Sequence, residues 1–250
     1  HRCEFALILV ENISKSFGGN EVLRGVSLRV RRGTTRVILG VSGSGKTVLM
    51  KHIIGLLRPD GGQILVDDID ITKLERADLL RVRRKFGMVF QQAALFDSMT
   101  VFDNVAFPLL EHTKLDKAEI ARRVADKLAL VGLSGAEAKF PSELSGGMRK
   151  RVGLARAVIL DPECVLYDEP TTGLDPLTTE SVDQMIKDAA QRLKVTSVVI
   201  SHDVGSALNV ADDIAVIHEG QIVEDCPAKQ IRHSRHPFVQ KFLNTWFGKQ

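Results

Sequence analysis

Eight consecutive residues decide the fold of this chain: Gly40-Val41-Ser42-Gly43-Ser44-Gly45-Lys46-Thr47. They match the pattern G-x-x-x-x-G-K-[ST], which is typical of phosphate-binding loops. The residues before them, 36–39, predict a buried strand, and the residues after them, 48–54, predict an apolar helix. Because this strand-loop-helix order is the context that the motif requires, the sequence predicts an α/β fold with an anion site at residues 40–47.

The residue types of this loop suit a phosphate chain. Glycines let the backbone direct its N–H groups inward, and the N-terminus of the following helix adds partial positive charge. Lys46 would bridge two phosphates of a nucleotide, and the Thr47 hydroxyl would ligate Mg²⁺. A plain glycine-rich turn would explain the glycines but not the Lys-Thr pair that follows them. The predicted nucleotide-binding residues of the loop are Gly40, Ser42, Gly43, Ser44, Gly45, Lys46, Thr47 and Val48.

Composition limits the class of protein and the kinds of partner that this chain can have. The 250 residues are 44% hydrophobic and 26% charged, as in an ordinary globular protein, and a net charge of +3 gives no case for nucleic acid as a partner. The cysteines, Cys3, Cys164 and Cys226, are far apart and form no C-x-x-C pair, so neither a disulfide framework nor a zinc site is expected. No apolar run approaches the roughly 20 residues of a spanning helix, so membrane contact is expected only through partners.

Strand signals on both sides of the loop predict two kinds of sheet. Residues 7–10, 21–23 and 26–30 surround a turn at 18–20 and predict a small antiparallel sheet. Later strands alternate with helices, which predicts a mostly parallel sheet with its ligands at the carboxyl ends of the strands. Amphipathic helices are predicted at 116–131 and 149–160, and a hairpin at 214–223. The helix at 149–160 would carry its apolar residues on one face and its basic residues largely elsewhere; the basic residues are Arg149, Lys150, Arg151 and Arg156.

Polar residues follow three of the predicted strands. Asp168 would hold Mg²⁺, and the adjacent Glu169 would act as general base on an attacking water. His202 would hydrogen-bond the terminal phosphate, and Gln91 would reach both Mg²⁺ and water. The predicted catalytic residues are Lys46, Gln91, Glu169 and His202, and the predicted metal ligands are Thr47, Gln91 and Asp168.

A second candidate anion site lies at Leu144-Ser145-Gly146-Gly147-Met148, directly before a predicted helix. A serine and two glycines at a helix N-terminus suit a phosphate, and one nucleotide does not easily fill two such sites in one chain. The pattern therefore indicates two copies of the chain with ATP between them. The alternative, a serine N-cap followed by flexible glycines, stays open at this point.

Two aromatic features also leave alternatives open. Phe17 stands just before the predicted turn, where its ring would either lie in the core or present a face to an adenine. The C-terminal residues 233–250 carry aromatic residues among basic ones, and we expect them to pack as a helix rather than to dock a partner. These aromatic residues are Phe238, Phe242, Trp246 and Phe247.

Taken in order along the chain, the motifs resemble those of the ATP-binding subunits of ABC transporters. The resemblance rests on residues 40–47, Gln91, 144–147, Asp168-Glu169, 173–175 and His202. It implies a P-loop NTPase (RecA-like) core with a mostly parallel sheet, an N-terminal antiparallel β-subdomain and an inserted α-helical signature subdomain.

The same resemblance implies ATP and Mg²⁺ as cofactors and a homodimer as the working form. Phe17 would stack on the adenine, and Asp175 would lie in the loop that communicates across the dimer. The γ-phosphate would be bound by Ser145, Gly146 and Gly147 of the opposite protomer.

The family pattern also predicts how residues 1–250 are divided as a single domain. The nucleotide-binding core would take about 1–91 and 152–225, the helical subdomain about 92–151, and a helical tail about 226–250. Two positions depart from the family: Met148 replaces the commoner Gln, and Gly173 replaces the commoner Ala. Neither position is a phosphate ligand in the family, so we expect activity to survive.

Within the family, residues 94–96, 99–109, 111–113 and 145–152 are similar to the ATPases of the Mla lipid-asymmetry and MCE-associated systems. That similarity implies phospholipid transport between membranes, powered by a peripheral subunit at the cytoplasmic face of the inner membrane. The implied partners are a second copy of the chain, permease subunits, an MCE-domain lipid-binding protein and a small STAS-like protein.

Three other functions are alternatives to this one. The nearest alternative is the same ATPase in an amino-acid importer, which would recruit a solute-binding protein instead of an MCE protein. A DNA-repair ATPase of the same superfamily would need a long heptad-bearing insertion between Lys46 and Asp168, and this interval contains none. A catalytically dead interaction module is disfavoured because Lys46, Asp168, Glu169 and His202 are all present.

Overall fold

The structure is a computed structural model that describes residues 6–248, the side chain of Phe247 excepted, so Cys3 lies outside the described residues. The strands of this range are β1 (Ala6–Phe17), β2 (Asn20–Arg31), β3 (Thr35–Leu39), β4 (Gly61–Val66), β5 (Ile69–Asp70), β6 (Phe86–Val89), β7 (Cys164–Asp168), β8 (Thr196–Ser201), β9 (Asp213–His218) and β10 (Gln221–Pro227). The α-helices are α1 (Lys46–Ile53), α2 (Arg76–Arg83), α3 (Val101–His112), α4 (Lys117–Leu130), α5 (Gly146–Ala157), α6 (Pro176–Leu193), α7 (Val204–Val210) and α8 (Pro237–Phe247). In the described part of the chain, no helix has both the length and the apolar character to cross a membrane.

The chain divides into two compact units, one formed by residues 1–83 and 196–250 and the other by residues 84–195. The first unit contains the loop 40–47 and the second contains the Ser145 segment. The predicted division into core, helical subdomain and tail rests on family resemblance, and it stays a prediction.

The first unit contains the predicted antiparallel sheet, with strand order β2-β1-β4-β5. β1 and β2 form a hairpin whose turn is Gly18-Gly19, and both glycines have positive φ, +55° and +82°. A two-residue turn with positive φ at both positions matches the right-handed twist of the strands that it joins, which is why glycine pairs favour hairpins.

The same unit contains the phosphate-loop strand within a second sheet, where the order is β10-β9-β3-β8. β3 runs parallel to both β8 and β9, with Leu39 beside Ser201 and Val216, and all five β3 residues are buried. Strands covered on both faces carry near-continuous apolar runs, and this explains the Val-Ile-Leu run before the loop. β9 and β10 form the predicted hairpin.

The C-terminal helix α8 packs on this unit, as predicted. Val239 and Leu243, four residues apart, are its buried positions, and the ring of Phe238 stacks on His218 with centroids 3.6 Å apart. Phe242 and Trp246 are half-buried. The core-facing stripe therefore consists of the aliphatic residues, with the aromatic residues along its margin.

In the second unit, β6 and β7 pair in parallel, with Val89 beside Tyr167. α4 buries Ile120, Val124 and Leu128, which confirms the helical spacing seen in the sequence. α5 begins at Gly146 and ends at Ala157, three residues earlier at each end than predicted. The predicted start was wrong because Ser145 caps the helix, so that both glycines belong to its first turn.

One buried side chain ties the turn before α3 to that helix. Asn104 is fully buried, its Oδ1 accepts from Phe96 N at 2.8 Å, and its Nδ2 donates to the carbonyl oxygens of Phe96, Met99 and Thr100 at 3.0–3.1 Å. A buried amide that satisfies this many backbone groups fixes the path of an otherwise irregular segment.

We expect Asn104→Ala to lower the free energy of unfolding by about 2 to 3 kcal/mol, because buried backbone groups lose their partner. Urea denaturation followed by circular dichroism measures the change. Glu111→Ala, at an exposed position of the same helix, is the control and should shift the free energy by less than about 0.5 kcal/mol. Equal effects of the two substitutions on the free energy of unfolding would contradict the stabilising role assigned to the buried Asn104 amide.

Candidate functional site

The loop 40–47 leaves β3 and enters α1 in a conformation that favours glycine at two points. Gly43 and Gly45 have φ of +80° and +104°, and Gly45 is the N-cap of α1 without a side-chain hydrogen bond. The first N–H groups of α1 therefore keep their hydrogen-bonding capacity for a ligand. The amide of Gly40 donates to Ser201 O at 3.2 Å, which fixes the start of the loop to β8.

Close packing excludes side chains at both ends of the loop. A Cβ on Gly40 would lie 2.5 Å from Ile217 O, and one on Gly45 would lie 2.9 Å from a Leu23 methyl group and 3.1 Å from Val22 O. The 2.5 Å approach to backbone is too short for any Cβ, whereas a Cβ on Gly45 would require Leu23 and the Val22 carbonyl to shift. Glycine is therefore required at these positions by packing as well as by the phosphate binding that the sequence predicts.

Lys46 lies across the loop that it follows. Its side chain is 5% exposed, and Nζ donates to Gly40 O at 2.8 Å and to Val41 O at 3.0 Å. Among the described residues, the buried hydroxyl of Ser44 has no hydrogen-bond partner. An orphaned hydroxyl beside a buried ammonium and an uncapped helix N-terminus fits an anion such as a phosphate chain.

The remaining predicted loop residues line its outer side. Ser42 and Gly43 are exposed, whereas Thr47 and Val48 are half-buried in the first turn of α1. Thr47 therefore follows Lys46 as a partly accessible residue at the start of α1. This is the position that a metal-ligating hydroxyl needs next to a bound phosphate.

The first unit also holds His202 and Phe17. His202 follows β8 and is exposed, and the parallel pairing of β8 with β3 puts it at the sheet edge where Gly40 leaves. Phe17 ends β1 with 45% of its surface exposed, and Lys15 Nζ lies 5.5 Å from its ring centroid. The reading of Phe17 as a core residue is wrong, so the adenine-stacking alternative remains.

In the second unit, parallel pairing brings two other predicted residues to one edge. Gln91 follows β6 and Asp168 ends β7, and the register of Val89 with Tyr167 makes both strands end at the same level. Gln91 is exposed and Asp168 is half-buried. An amide and a carboxylate at one sheet edge are the oxygen ligands that Mg²⁺ prefers.

Glu169 is held in a conformation that a non-glycine residue rarely adopts. Its φ is +49°, a left-handed value that costs an L-residue roughly 1–2 kcal/mol. Thr172 Oγ1 donates to the Glu169 carboxylate at 3.0 Å, and Thr172 N donates to Glu169 O at 3.3 Å. Strain of this kind concentrates at active sites, where neighbouring contacts maintain it.

The second candidate phosphate site is formed by the start of α5. Ser145 Oγ accepts from Met148 N at 3.2 Å, so the serine is an N-cap, and Gly146 and Gly147 form the first turn. A cavity of about 770 Å³ brings this turn together with Asp175, which caps α6 and accepts from Thr178. That hydrogen bond lowers the pKa of Asp175, so the cap is a carboxylate at neutral pH.

Sequence reasoning missed two basic residues of α5 that contact the loops of Glu169 and Gln91. Lys150 is 6% exposed and donates to Pro170 O, directly after Glu169. Arg156 donates to Ala93 O at 2.7 Å and to Ala94 O at 2.8 Å, in the turn that follows Gln91. Burial lowers the pKa of both side chains. We predicted that the basic residues of this helix point largely away from its apolar face, which is wrong for Lys150.

Comparison with known proteins identifies the class. The family model described as ABC transporter matches residues 23–172, so the chain belongs to the ABC transporter family of ATP-binding proteins. Solved structures agree with the predicted P-loop NTPase fold. The cbiO1 protein of Clostridium perfringens, part of the ABC transporter complex cbiONQ, superposes with a TM-score of 0.87 at 28% identity, covering 98% of this chain and 97% of that one.

Comparison of sequences shows which ATP-binding proteins of the family this chain is similar to. The chain is 45% identical to the probable ribonucleotide transport ATP-binding protein mkl of Mycobacterium tuberculosis over 95% of its own length, but it spans just under two thirds, 66%, of that protein. It is 43% identical to the intermembrane phospholipid transport system ATP-binding protein MlaF of Haemophilus influenzae, covering 95% of this chain and 90% of that protein. An ATP-binding cassette solved as a dimer with ADP and Pi has a TM-score of 0.79 at 30% identity, with coverage of 88% and 98%.

We expect Lys46→Ala to weaken binding of ATP at least about tenfold, because a charge-assisted contact to phosphate and two bonds that shape the loop are lost together. Titration calorimetry with ATP and Mg²⁺ measures the affinity. Lys51→Ala, at an exposed position of the same helix, should bind as the unaltered chain does. An unchanged affinity of Lys46→Ala for ATP would show that the loop 40–47 is not part of the binding site.

Proposed function

We propose that this chain is the ATP-hydrolysing subunit of an ABC transporter that moves phospholipid between membranes. The observation that carries the enzymatic part is the loop 40–47, where a buried lysine, an orphaned serine hydroxyl and an uncapped helix N-terminus form an anion site. The cargo is supported by relatives named for intermembrane phospholipid transport, of which the chain covers 88–90%.

The chemistry assigned to each residue follows from its position. Mg²⁺ would be held by Thr47, Gln91 and Asp168 and would neutralise charge on the phosphates. Lys46 binds the phosphate chain, and Glu169 accepts a proton from the attacking water. His202 donates a hydrogen bond to the terminal phosphate, and the exposed face of Phe17 stacks on adenine.

A homodimer completes the site in this proposal. Ser145, Gly146 and Gly147 of one protomer would contact the nucleotide held by loop 40–47 of the other, with Asp175 beside them in the same cavity. The dimeric cassette structure with ADP and Pi supports this arrangement. ATP then closes the dimer and hydrolysis opens it, so the membrane subunits follow the chemical cycle.

An apolar groove in the second unit supports contact with membrane subunits. It has a volume of about 340 Å³ and is lined by Phe86, Met88, Phe90, Phe96, Phe107 and Pro108, among others. Phe90 and Phe96 are 39% and 43% exposed. Exposed aromatic residues in a concave surface suit a docked helix. The chain would then lie peripherally at the cytoplasmic face of the inner membrane, with an MCE-domain protein and a STAS-like protein as further partners.

The amino-acid importer is the weaker candidate. The methionine import ATP-binding protein MetN of Carboxydothermus hydrogenoformans is 38% identical and is covered over 73% of its length, against 43% and 90% for the phospholipid transport relative. Both candidates share the nucleotide chemistry, so they differ only in partners and cargo.

Glu169→Gln should bind ATP normally, accumulate as a closed dimer and hydrolyse ATP at least about 100-fold more slowly, because the proton acceptor is lost while the shape is kept. Phosphate release and gel filtration with ATP measure the two effects. Glu180→Gln, at an exposed position of α6, should retain full turnover. Rapid turnover by Glu169→Gln would refute the base assignment.

Membranes solubilised in mild detergent should yield the chain together with integral membrane subunits and bound phospholipid. Phe96→Asp should abolish this co-purification because it places a charge in the apolar groove, whereas Leu110→Asp, at an exposed site outside the groove lining, should not. Mass spectrometry identifies proteins and lipids. Recovery of an amino-acid-binding protein instead would overturn the cargo and leave the nucleotide site intact.

A further inference from the structure

Two loops that carry candidate catalytic residues contain non-glycine residues in left-handed conformations. Ala93 and Ala94, just after Gln91, have φ of +60° and +46°, and Glu169 has φ of +49°. L-residues rarely occupy this region, so surrounding contacts have to maintain it. Both loops obtain such contacts from basic side chains of one helix, α5: Lys150 is buried and Arg156 is half-buried.

Lys150 provides the contact to the Glu169 loop. Its side chain is buried, and Nζ donates to Pro170 O, the carbonyl next to Glu169. Within residues 6–248, no carboxylate lies at ion-pair distance from this ammonium group. A buried cation without an ion pair is costly, and an apolar side chain of similar length would pack here without that cost. The retained charge therefore points to a role beyond packing.

Arg156 provides the contact to the Gln91 loop. Its two terminal nitrogens donate to the successive carbonyl oxygens of Ala93 and Ala94, at 2.7 and 2.8 Å. Both acceptors belong to the left-handed residues themselves. The planar guanidinium presents two donors in a fixed fork, so it sets the orientation of the turn as well as its distance.

We propose that Lys150 and Arg156 are positioning residues that fix Glu169 and Gln91, respectively, to the helix whose first turn is the second phosphate site. Neither side chain is assigned a contact with the nucleotide. The inference rests on the hydrolytic function proposed above. It adds that a phosphate held at Ser145 of a protomer restrains, through α5, the base and the metal ligand of that same protomer.

The geometry of α5 makes this connection direct. A cavity of about 680 Å³ is lined by Gln91, Gly146, Lys150 and Thr172, so both loops and the start of α5 share one space. Between Ser145 and Arg156 the helix is continuous, and its internal hydrogen bonds prevent the side chains from shifting independently along the axis. Reaction rates respond steeply to small displacements of a base or a metal ligand.

Amide hydrogen exchange on the full chain without nucleotide tests the positioning directly. Lys150→Met should raise exchange in residues 168–174 at least about fivefold and leave residues 91–97 unchanged, because only one loop loses its contact. Arg156→Met should do the reverse. Lys114→Met, at an exposed loop position, should change neither segment.

Kinetics provide the second test. Lys150→Met should lower kcat about 10- to 100-fold with KM for ATP within about threefold, since the base is misplaced while binding is intact. Lys150→Arg should restore at least about a third of kcat, because one donor suffices there. Arg156→Met should raise the Mg²⁺ concentration for half-maximal activity at least about fivefold, and Arg156→Lys should not restore it, because two carbonyls require two donors.

Three results would overturn the proposal. The first is an increase of exchange in both loops in either variant, which would indicate general destabilisation. The second is an increase of exchange in neither loop. The third is a kinetic change that is confined to KM for ATP. If the unaltered chain hydrolyses no ATP, the proposed function fails, while the exchange measurements still decide whether α5 holds the two loops.

Discussion

The hydrogen bond from the Gly40 amide to the Ser201 carbonyl is the contact on which the phosphate loop depends. It joins the ends of two parallel strands at the point where one turns into the loop and the other continues to His202. Because Gly40 also packs against the Ile217 carbonyl, the backbone has one path, and the amides of the loop are set before any ligand arrives. A preorganised anion site costs little entropy when phosphate binds.

The second unit has left-handed backbone conformations at residues that are not glycine, unlike the phosphate loop of the first unit. In the loop 40–47, left-handed conformations fall on glycines and carry no strain, whereas the loops after β6 and β7 place Ala93, Ala94 and Glu169 there. The proposed mechanism requires a glutamate at position 169 as the base, so glycine is not an option there. The strain is then offset by hydrogen bonds from Thr172 and Lys150, which makes the conformation of the base a property of its neighbours.

Sequence patterns anticipated the elements whose signals are local. The buried β3 with its glycine loop, the Gly18-Gly19 hairpin and the spacing of Ile120, Val124 and Leu128 each follow from neighbours within a few residues. The rule that parallel strands carry ligands at their carboxyl ends then predicted that Gln91 and Asp168 leave one edge. The roles proposed for Phe17, Ser145 and Asp175 come from family resemblance.

Predictions failed where the partner lies far along the chain. The helical pattern places Lys150 and Arg156 largely off the apolar face of α5, yet the acceptor of Lys150 is 20 residues away and that of Arg156 is 63 residues away. Periodicity alone contained a hint, since Lys150 precedes the buried Leu154 by four residues and Arg156 follows the buried Val152 by four. The apolar pattern alone placed the start of α5 three residues late, whereas the alternative of a serine N-cap at Ser145, also indicated by the sequence, is confirmed.

The basic residues of α5 have a consequence for how this chain evolves. Lys150, Arg151 and Arg156 each donate to a carbonyl oxygen from a different part of the second unit, so three segments share one helix as their common anchor. A substitution that rotates or shortens the helix alters all three at once, and its cost depends on which residues the other segments carry. Epistasis should therefore concentrate along this helix: exchanges tolerated in one relative would be harmful in another unless several positions change together.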